Sequence, residues 1–200
     1  MSKAYIGGTL GSSFPSSSDF TLDQDGARKH SLVEVGEAII RRQPVDVDSL
    51  PTVLKYRAPT LPEPLPRIFP FMSLLVVSPD VAEVISQFDL GEGLIWPLKY
   101  EGPGECSYSA IYVGEKKRTW REDISTAKMF RHGRYVIDDL ALKSGKGTVI
   151  LNSSARLGAH IWVEPMVATS LVFFSRQLAN ALMGISLEDE FPLLECQVYD

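Results

Sequence analysis

Two hundred residues, 44% of them hydrophobic, carry a net charge of −5 at a mean hydropathy of +0.01, enough for one ordinary domain or two small lobes. The composition excludes intrinsic disorder, and the mild acidity excludes a protein that grips nucleic-acid phosphates with clustered Lys and Arg. Two cysteines, Cys106 and Cys196, make no disulfide framework; the start lacks an apolar leader, and no apolar run nears the ~20 residues of a membrane helix, so a cytoplasmic chain without membrane partner is expected.

Residues 7–20 are too rich in Gly and Ser to hold regular structure. Ser31 and Glu34 form a capping box that opens a predicted helix to Arg42, which Pro44 stops. Prolines 44, 51, 59, 62, 64, 66 and 70 keep the next stretch extended. Such a stretch reads as an SH3-type ligand or as an arm laid across the domain, and interleaved Leu54, Tyr56, Leu61, Leu65, Ile68 and Phe69 favour the arm.

From Ser73 to Leu94, and again 97 positions later from Ser170 to Phe191, one pattern recurs: apolar strand, serine, amphipathic helix, loop, apolar strand. In the first copy Ser78-Pro79 starts a helix whose Val81, Val84, Ile85 and Phe88 share a face. In the second, Ser175 is the predicted cap, Leu178, Ala181, Leu182 and Ile185 form the stripe, and Gly184 marks the end. Leu94–Tyr100 and Phe191–Tyr199 are the closing strands. Between the copies, Tyr108–Val113, Arg134–Leu142, Val149–Leu151 and Ile161–Val163 are strand candidates. Ser144–Thr148 is expected to be a hairpin turn, and Glu115–Arg118 a solvated turn.

The fold class is therefore α+β, with mixed or antiparallel sheets, few helices, two related strand–helix–strand units and a Pro-rich N-terminal arm. Residues 1–65 are read as that arm with one helix. Residues 66–200 form the α+β domain, with its repeat at about 71–100 and 168–199.

Few residues offer chemistry. Gly145-Lys146-Gly147-Thr148 lacks the upstream glycine of a phosphate loop, and His30, His132 and His160 lack metal-ligand spacing, so no cofactor is expected. Gly7-Gly8-x-x-Gly11 lacks the strand and helix of a dinucleotide site. A cysteine hydrolase would use Cys106 with His160, and Glu164 or Asn152 as third group; a strand-edge cysteine and a capping histidine are the structural alternative. Asp138, Asp139, Glu188, Asp189 and Glu190 read as solvated edges or as an acidic contact surface. Trp120 and Trp96 read as core residues or as interface anchors.

The repeated units resemble immunity-protein family eleven of bacterial polymorphic-toxin systems, long filed as a domain of unknown function. The likeness lies in Phe71–Tyr100 with its Ser78 helix start, in Tyr108–Val113 and Tyr135–Leu140, and in Phe173-Phe174-Ser175, Leu178–Met183, Gly184 and Phe191–Val198. It covers roughly residues 65–200, and departs from the family at the highly charged Lys116–His132 and at Pro192. It implies a cytoplasmic, non-enzymatic protein that binds a cognate toxin domain and neutralises it, without direct contact to nucleic acid. The contact residues expected on that reading are Trp120, Asp138, Asp139, Glu188, Asp189 and Glu190. A general adaptor domain without a toxin partner is the other non-enzymatic reading.

Overall fold

A computed structural model describes residues 2–7, 20–23, 35, 37, 38, 43, 46–57, 65–71, 74–131, 134–167, 171–187 and 190–199. The fold class is α+β, as the patterning predicts, with strands far outnumbering helices. The chain divides into two compact units, one of residues 12–83 and 94–112, the other of residues 1–11, 84–93 and 113–200. None of the four boundaries falls at residue 65.

The first unit is a six-stranded sheet. In chain order its strands are β2 (Phe20–Asp23), β3 (Val53–Tyr56), β4 (Ile68–Phe71), β5 (Leu74–Val77), β6 (Leu94–Glu101) and β7 (Tyr108–Tyr112). Across the sheet the order is β2-β3-β6-β7-β5-β4. Helix α1 (Pro79–Ser86) follows β5. Strand β7 is antiparallel to both β5 and β6, and β3 is parallel to β6. One core holds Phe20, Leu54, Tyr56, Phe69, Leu74, Val76, Tyr108 and Ala110. Proline falls where its missing donor costs little: Pro70 lies on edge strand β4, and Pro97 precedes Lys99, where β3 begins to pair with β6.

The second unit is built on β1 (Ser2–Gly7), β10 (Ile150–Leu151), β11 (Ile161–Trp162), β12 (Val172–Ser175) and β13 (Leu194–Val198). These run in the order β10-β13-β1-β12-β11. Its core gathers Ala4, Ile6, Trp120, Leu151, Trp162, Phe173 and Cys196. A two-stranded ribbon, β8 (Lys128–Arg131) with β9 (Arg134–Ile137), precedes the short helix α2 (Asp139–Lys143); helix α3 (Arg176–Gly184) follows β12.

The duplicated pattern is real structure, and it extends past the residues that reveal it. In the first sheet β5 and β6, which precede and follow α1 in the chain, flank β7; in the second β12 and β13, which precede and follow α3, flank β1. Both central strands are antiparallel to both neighbours. Outside them β3 runs parallel to β6 as β10 does to β13, and β4 runs antiparallel to β5 as β11 does to β12. Five strands thus match in order and direction. One difference matters: β7 follows β6 directly, whereas its counterpart comes from residues 2–7.

The predicted N-terminal arm is accordingly not an arm where it is described. Residues 2–7 are the middle strand of one sheet, and β2 and β3 belong to the other. Of the predicted Ser31–Arg42 helix, Val35, Glu37 and Ala38 are described, and they are helical. The strand predicted over Arg134–Leu142 stops at Ile137, because the Asp138 side chain accepts from Ala141 N at 3.0 Å and caps α2. Ser144–Thr148 is no hairpin turn either. It ends α2, with Gly145 at φ +68° and the amides of Lys146 and Gly147 donating to Ala141 O.

Ser175 caps α3 as predicted, accepting from Leu178 N at 3.2 Å. Ser78 instead donates to Asp80 Oδ1 at 2.5 Å, and Arg67 grips the same carboxylate. Partial burial would raise the Asp80 carboxyl, but Ser78 and Arg67 together hold it below the ordinary carboxylate range. The residue left in the left-handed region beyond α3 is Ser186 (φ 56°), not Gly184.

Candidate functional site

The residues expected to meet a partner have been put to different uses. Trp120 is a core residue, 9% exposed, with its indole N–H donating to Ser125 Oγ at 3.0 Å. An interface anchor must offer its ring to solvent, and this one packs inward. Asp138 is half-buried and occupied as the α2 cap; Asp139 is the first residue of that helix. Glu190 sits half-buried in the turn before Phe191, its amide donating to Leu187 O at 3.1 Å. Glu188 and Asp189 lie outside the described residues. Trp96 is partly buried against the first unit's core and donates to Pro51 O at 2.7 Å.

The segment expected to be a solvated basic turn carries the most demanding polar chemistry in the second unit. Residues 115–121 run extended between β11 and β10: Lys117 N donates to Val163 O, Asn152 N to Thr119 O and Arg121 N to Ile150 O. Extended backbone sends alternate side chains to opposite faces. Lys116 and Arg118 therefore reach solvent, while Lys117 and Thr119 turn inward. The Lys117 ammonium donates to Leu157 O at 2.6 Å and Ala159 O at 2.5 Å, and stands 4.3 Å from the Trp162 ring centroid. Burial pushes its pKa down, against the opposing pull of the Glu115 and Asp89 charges.

Glu164, 4% exposed, does the converse. Its Oε2 accepts from Thr119 N at 2.6 Å, Trp120 N at 2.8 Å and Thr119 Oγ1 at 3.2 Å, and its Oε1 from Met166 N at 3.2 Å. A buried carboxylate is tolerable only when its lone pairs are met in this way. Here it ties the extended segment to the loop after β11.

Cys106 and His160, the pair a cysteine hydrolase would use, have different surroundings. Cys106 belongs to the first unit and His160 to the second. Burial pushes the Cys106 thiol up, although a hydrogen bond with Tyr100 works against it. A cysteine nucleophile requires the opposite. Glu164 and Asn152, the proposed third members, are also engaged elsewhere: Asn152 caps the 3-10 turn Ser153–Arg156, accepting from Ser154 N at 3.0 Å.

What His160 does meet is Ser175. The two are opposed across β11 and β12: Ser175 N donates to His160 O at 2.8 Å, and His160 Nδ1 lies 2.8 Å from Ser175 Oγ. Ser175 Oγ also accepts from Leu178 N, and in its bond with Nδ1 either the hydroxyl or the ring can donate. The Phe88 ring, 5.1 Å away and edge-on, and a backbone bond from His160 N to Asp89 O hold the residue in place. Beside this pair opens a cleft of about 220 Å³, lined by Lys3 of β1, Arg156, Gly158 and Ala159 after the 3-10 turn, His160, Ser175, and Arg176 and Gln177 at the start of α3.

Sequence reasoning placed the helix start at Ser175 but not the cleft. The detectable signal was the basic residue directly after a capping serine; that His160 faces it depends on a strand register no local pattern encodes. Among the described residues no group of three His, Cys, Asp or Glu side chains is placed to hold a metal ion, and no helix is long and apolar enough to cross a membrane. No family model and no curated protein matches the chain.

Proposed function

We propose that this chain is an immunity protein, which binds a cognate bacterial toxin effector one to one in the cytoplasm of the producing cell and neutralises it without catalysis of its own. The observation that supports this reading is the agreement between the residues carrying the family resemblance and the elements of the fold. Phe173-Phe174-Ser175 is the end of β12 and the α3 cap, Leu178–Met183 lies within α3, and the stretch after Phe191 leads into β13. The first copy is segmented in the same order by β5, α1 and β6. Two sheets with fixed registers provide a preorganised frame, so little ordering entropy is lost on docking.

The acidic residues at Asp139 and Glu188–Glu190 are the proposed contact region, and they suit a toxin with a basic cleft. Trp120 leaves that set because its ring is in the core, and the Asp138 carboxylate already has its partner. The test is co-expression with a toxin domain encoded by the adjacent gene. Restored growth and one-to-one co-purification support the proposal; a toxin that kills unchanged and fails to co-purify sinks it. Full protection by Cys106→Ala would set aside the hydrolase reading in the same assay.

A further inference from the structure

We infer that Ser175 and His160 are a nucleophile–base pair that cleaves esters of short carboxylic acids in the cleft beside them. This does not rest on the toxin-binding reading, which requires binding alone. A hydroxyl becomes a nucleophile when an imidazole within hydrogen-bond reach takes its proton. Ser175 Oγ and His160 Nδ1 lie 2.8 Å apart, both residues are half-buried, and both line the cleft of about 220 Å³. The two tautomers of a neutral imidazole interchange through the imidazolium. The reactive one, in which the hydroxyl donates to Nδ1, is reached without moving a heavy atom of the pair. A serine oxygen carries two lone pairs. Leu178 N takes one at 3.2 Å, and among the described residues no other bond of Oγ uses the second.

The frame itself does not call for the imidazole, because the first copy builds the same corner without one. Ser78 N donates to Arg67 O at 2.7 Å where Ser175 N donates to His160 O at 2.8 Å. Ile68 opposes Val77 as Ile161 opposes Phe174. In the first copy, however, Ser78 spends its hydroxyl on Asp80, which Arg67 grips. The counterpart of Asp80, 97 positions on, is Gln177, so the second copy has no carboxylate there and its serine meets a histidine instead. Helix geometry supplies the remaining component, since the first amides of a helix lack an intrahelical acceptor. At the start of α3, Leu178 N is met by Ser175 Oγ. The amides of Arg176 and Gln177, residues that line the cleft, are left for the oxyanion that forms when Oγ adds to a carbonyl. At 220 Å³ the cleft is smaller than the ~300–1,000 Å³ of drug-sized ligand sites and suits a short acyl chain. In the first step Oγ bonds to the ester carbonyl carbon, its proton passes to Nδ1, and the alcohol leaves with that proton as its C–O bond breaks. Water then adds to the acyl-serine, giving a proton to Nδ1, and the acid departs as Oγ takes the proton back.

The experiment mixes the whole chain with p-nitrophenyl acetate, quenches it in acid and locates the acetyl group by peptide mass spectrometry. A burst of nitrophenolate followed by turnover, with the acetyl group on Ser175, is expected. His160→Gln keeps a hydrogen-bonding side chain but no base, and should slow acetylation of Ser175 about 100-fold. An unchanged circular dichroism spectrum establishes that the variant folds; if it does not, the site of acetylation in the unaltered chain decides. Acetyl groups on lysines alone, an acetyl-Ser175 that does not turn over, or Ser175 acetylated as fast in the folded variant would each overturn the assignment.

Discussion

Replacing Ile6 by Ala tests whether residues 2–7 complete the second sheet. Ile6 is fully buried, opposed to Phe173 on one side and Leu194 on the other. The substitution removes three carbons, worth ~2.4 kcal/mol at ~0.8 kcal/mol per buried methylene. The neighbouring strands are pinned by their own registers and cannot close fully on the gap, so a cavity contribution brings the loss to about 3–4 kcal/mol. For a chain of this size that lowers Tm by roughly 6–16 °C. Thermal and urea unfolding followed by tryptophan fluorescence measure it. Lys3→Ala is the control, since Lys3 is exposed on the other face of β1 and its ion pair with Glu195 lies at the surface, where water and salt screen it and little stability depends on it. If the two variants cost the same, or Ile6→Ala costs less than ~1 kcal/mol, β1 is not the embedded strand described.

Glu164→Ala strips the acceptor from two buried amides and should cost about 2–6 kcal/mol, whereas Glu164→Gln, which keeps one oxygen for them, should cost less than half as much; equal losses in denaturant titrations would count against the network. Burial pushes the Tyr100 phenol up to about 12, with the Cys106 charge and hydrogen bond adding to it. An unfolded tyrosine titrates near ~10, so the native state keeps its proton through that window and stability falls as pH rises across it. Phenolate absorbance should show a late step that Tyr100→Phe removes; tyrosines all ionising together would contradict this. Lys117→Ala leaves the Leu157 and Ala159 carbonyls without their donor and removes the stem packed on Trp162, for a predicted loss of ~2–4 kcal/mol and an altered Trp162 fluorescence. Unchanged stability would mean the ammonium is not held there.

The parts of this fold that sequence made legible are those encoded within a few neighbouring residues. Apolar runs gave β5, β7 and β12, the i, i+3, i+4 stripes gave α1 and α3, and Ser175 gave a cap. Where chemistry depends on distant partners, local pattern misled. Lys117 stands in a run of charge and looks solvated, yet its burial follows from the extended path between β10 and β11. Trp120 became core because Leu151 lies opposite it. The cleft combines β1 with α3, and nothing local to Lys3 or Arg176 reports the other. Strand β1 did carry a signal, Ala4 and Ile6 buried between Lys3 and Tyr5, but three alternations are too few to stand out beside a Gly/Ser-rich segment.

The placement of β1 constrains how the second sheet can form. In the first unit each strand of the repeated set pairs with one nearby in sequence: β5 with β7, β7 with β6, β5 with β4. In the second, the central position must be filled from residues 2–7, with Ser2 against Val198 and Tyr5 against Phe174. Closing loops of that length costs entropy before any contact returns it, so pairings of such separation form late. Until β1 arrives, β12 and β13 lack the strand that stands between them, and Phe173, Phe174 and Cys196 lose one wall of their burial. The same duplicated architecture therefore has two assembly rules: the first copy can close from local chain, while the second waits for both ends of the sequence to meet. The cleft of the second copy, lined by Lys3 of β1, is complete only with that strand in place.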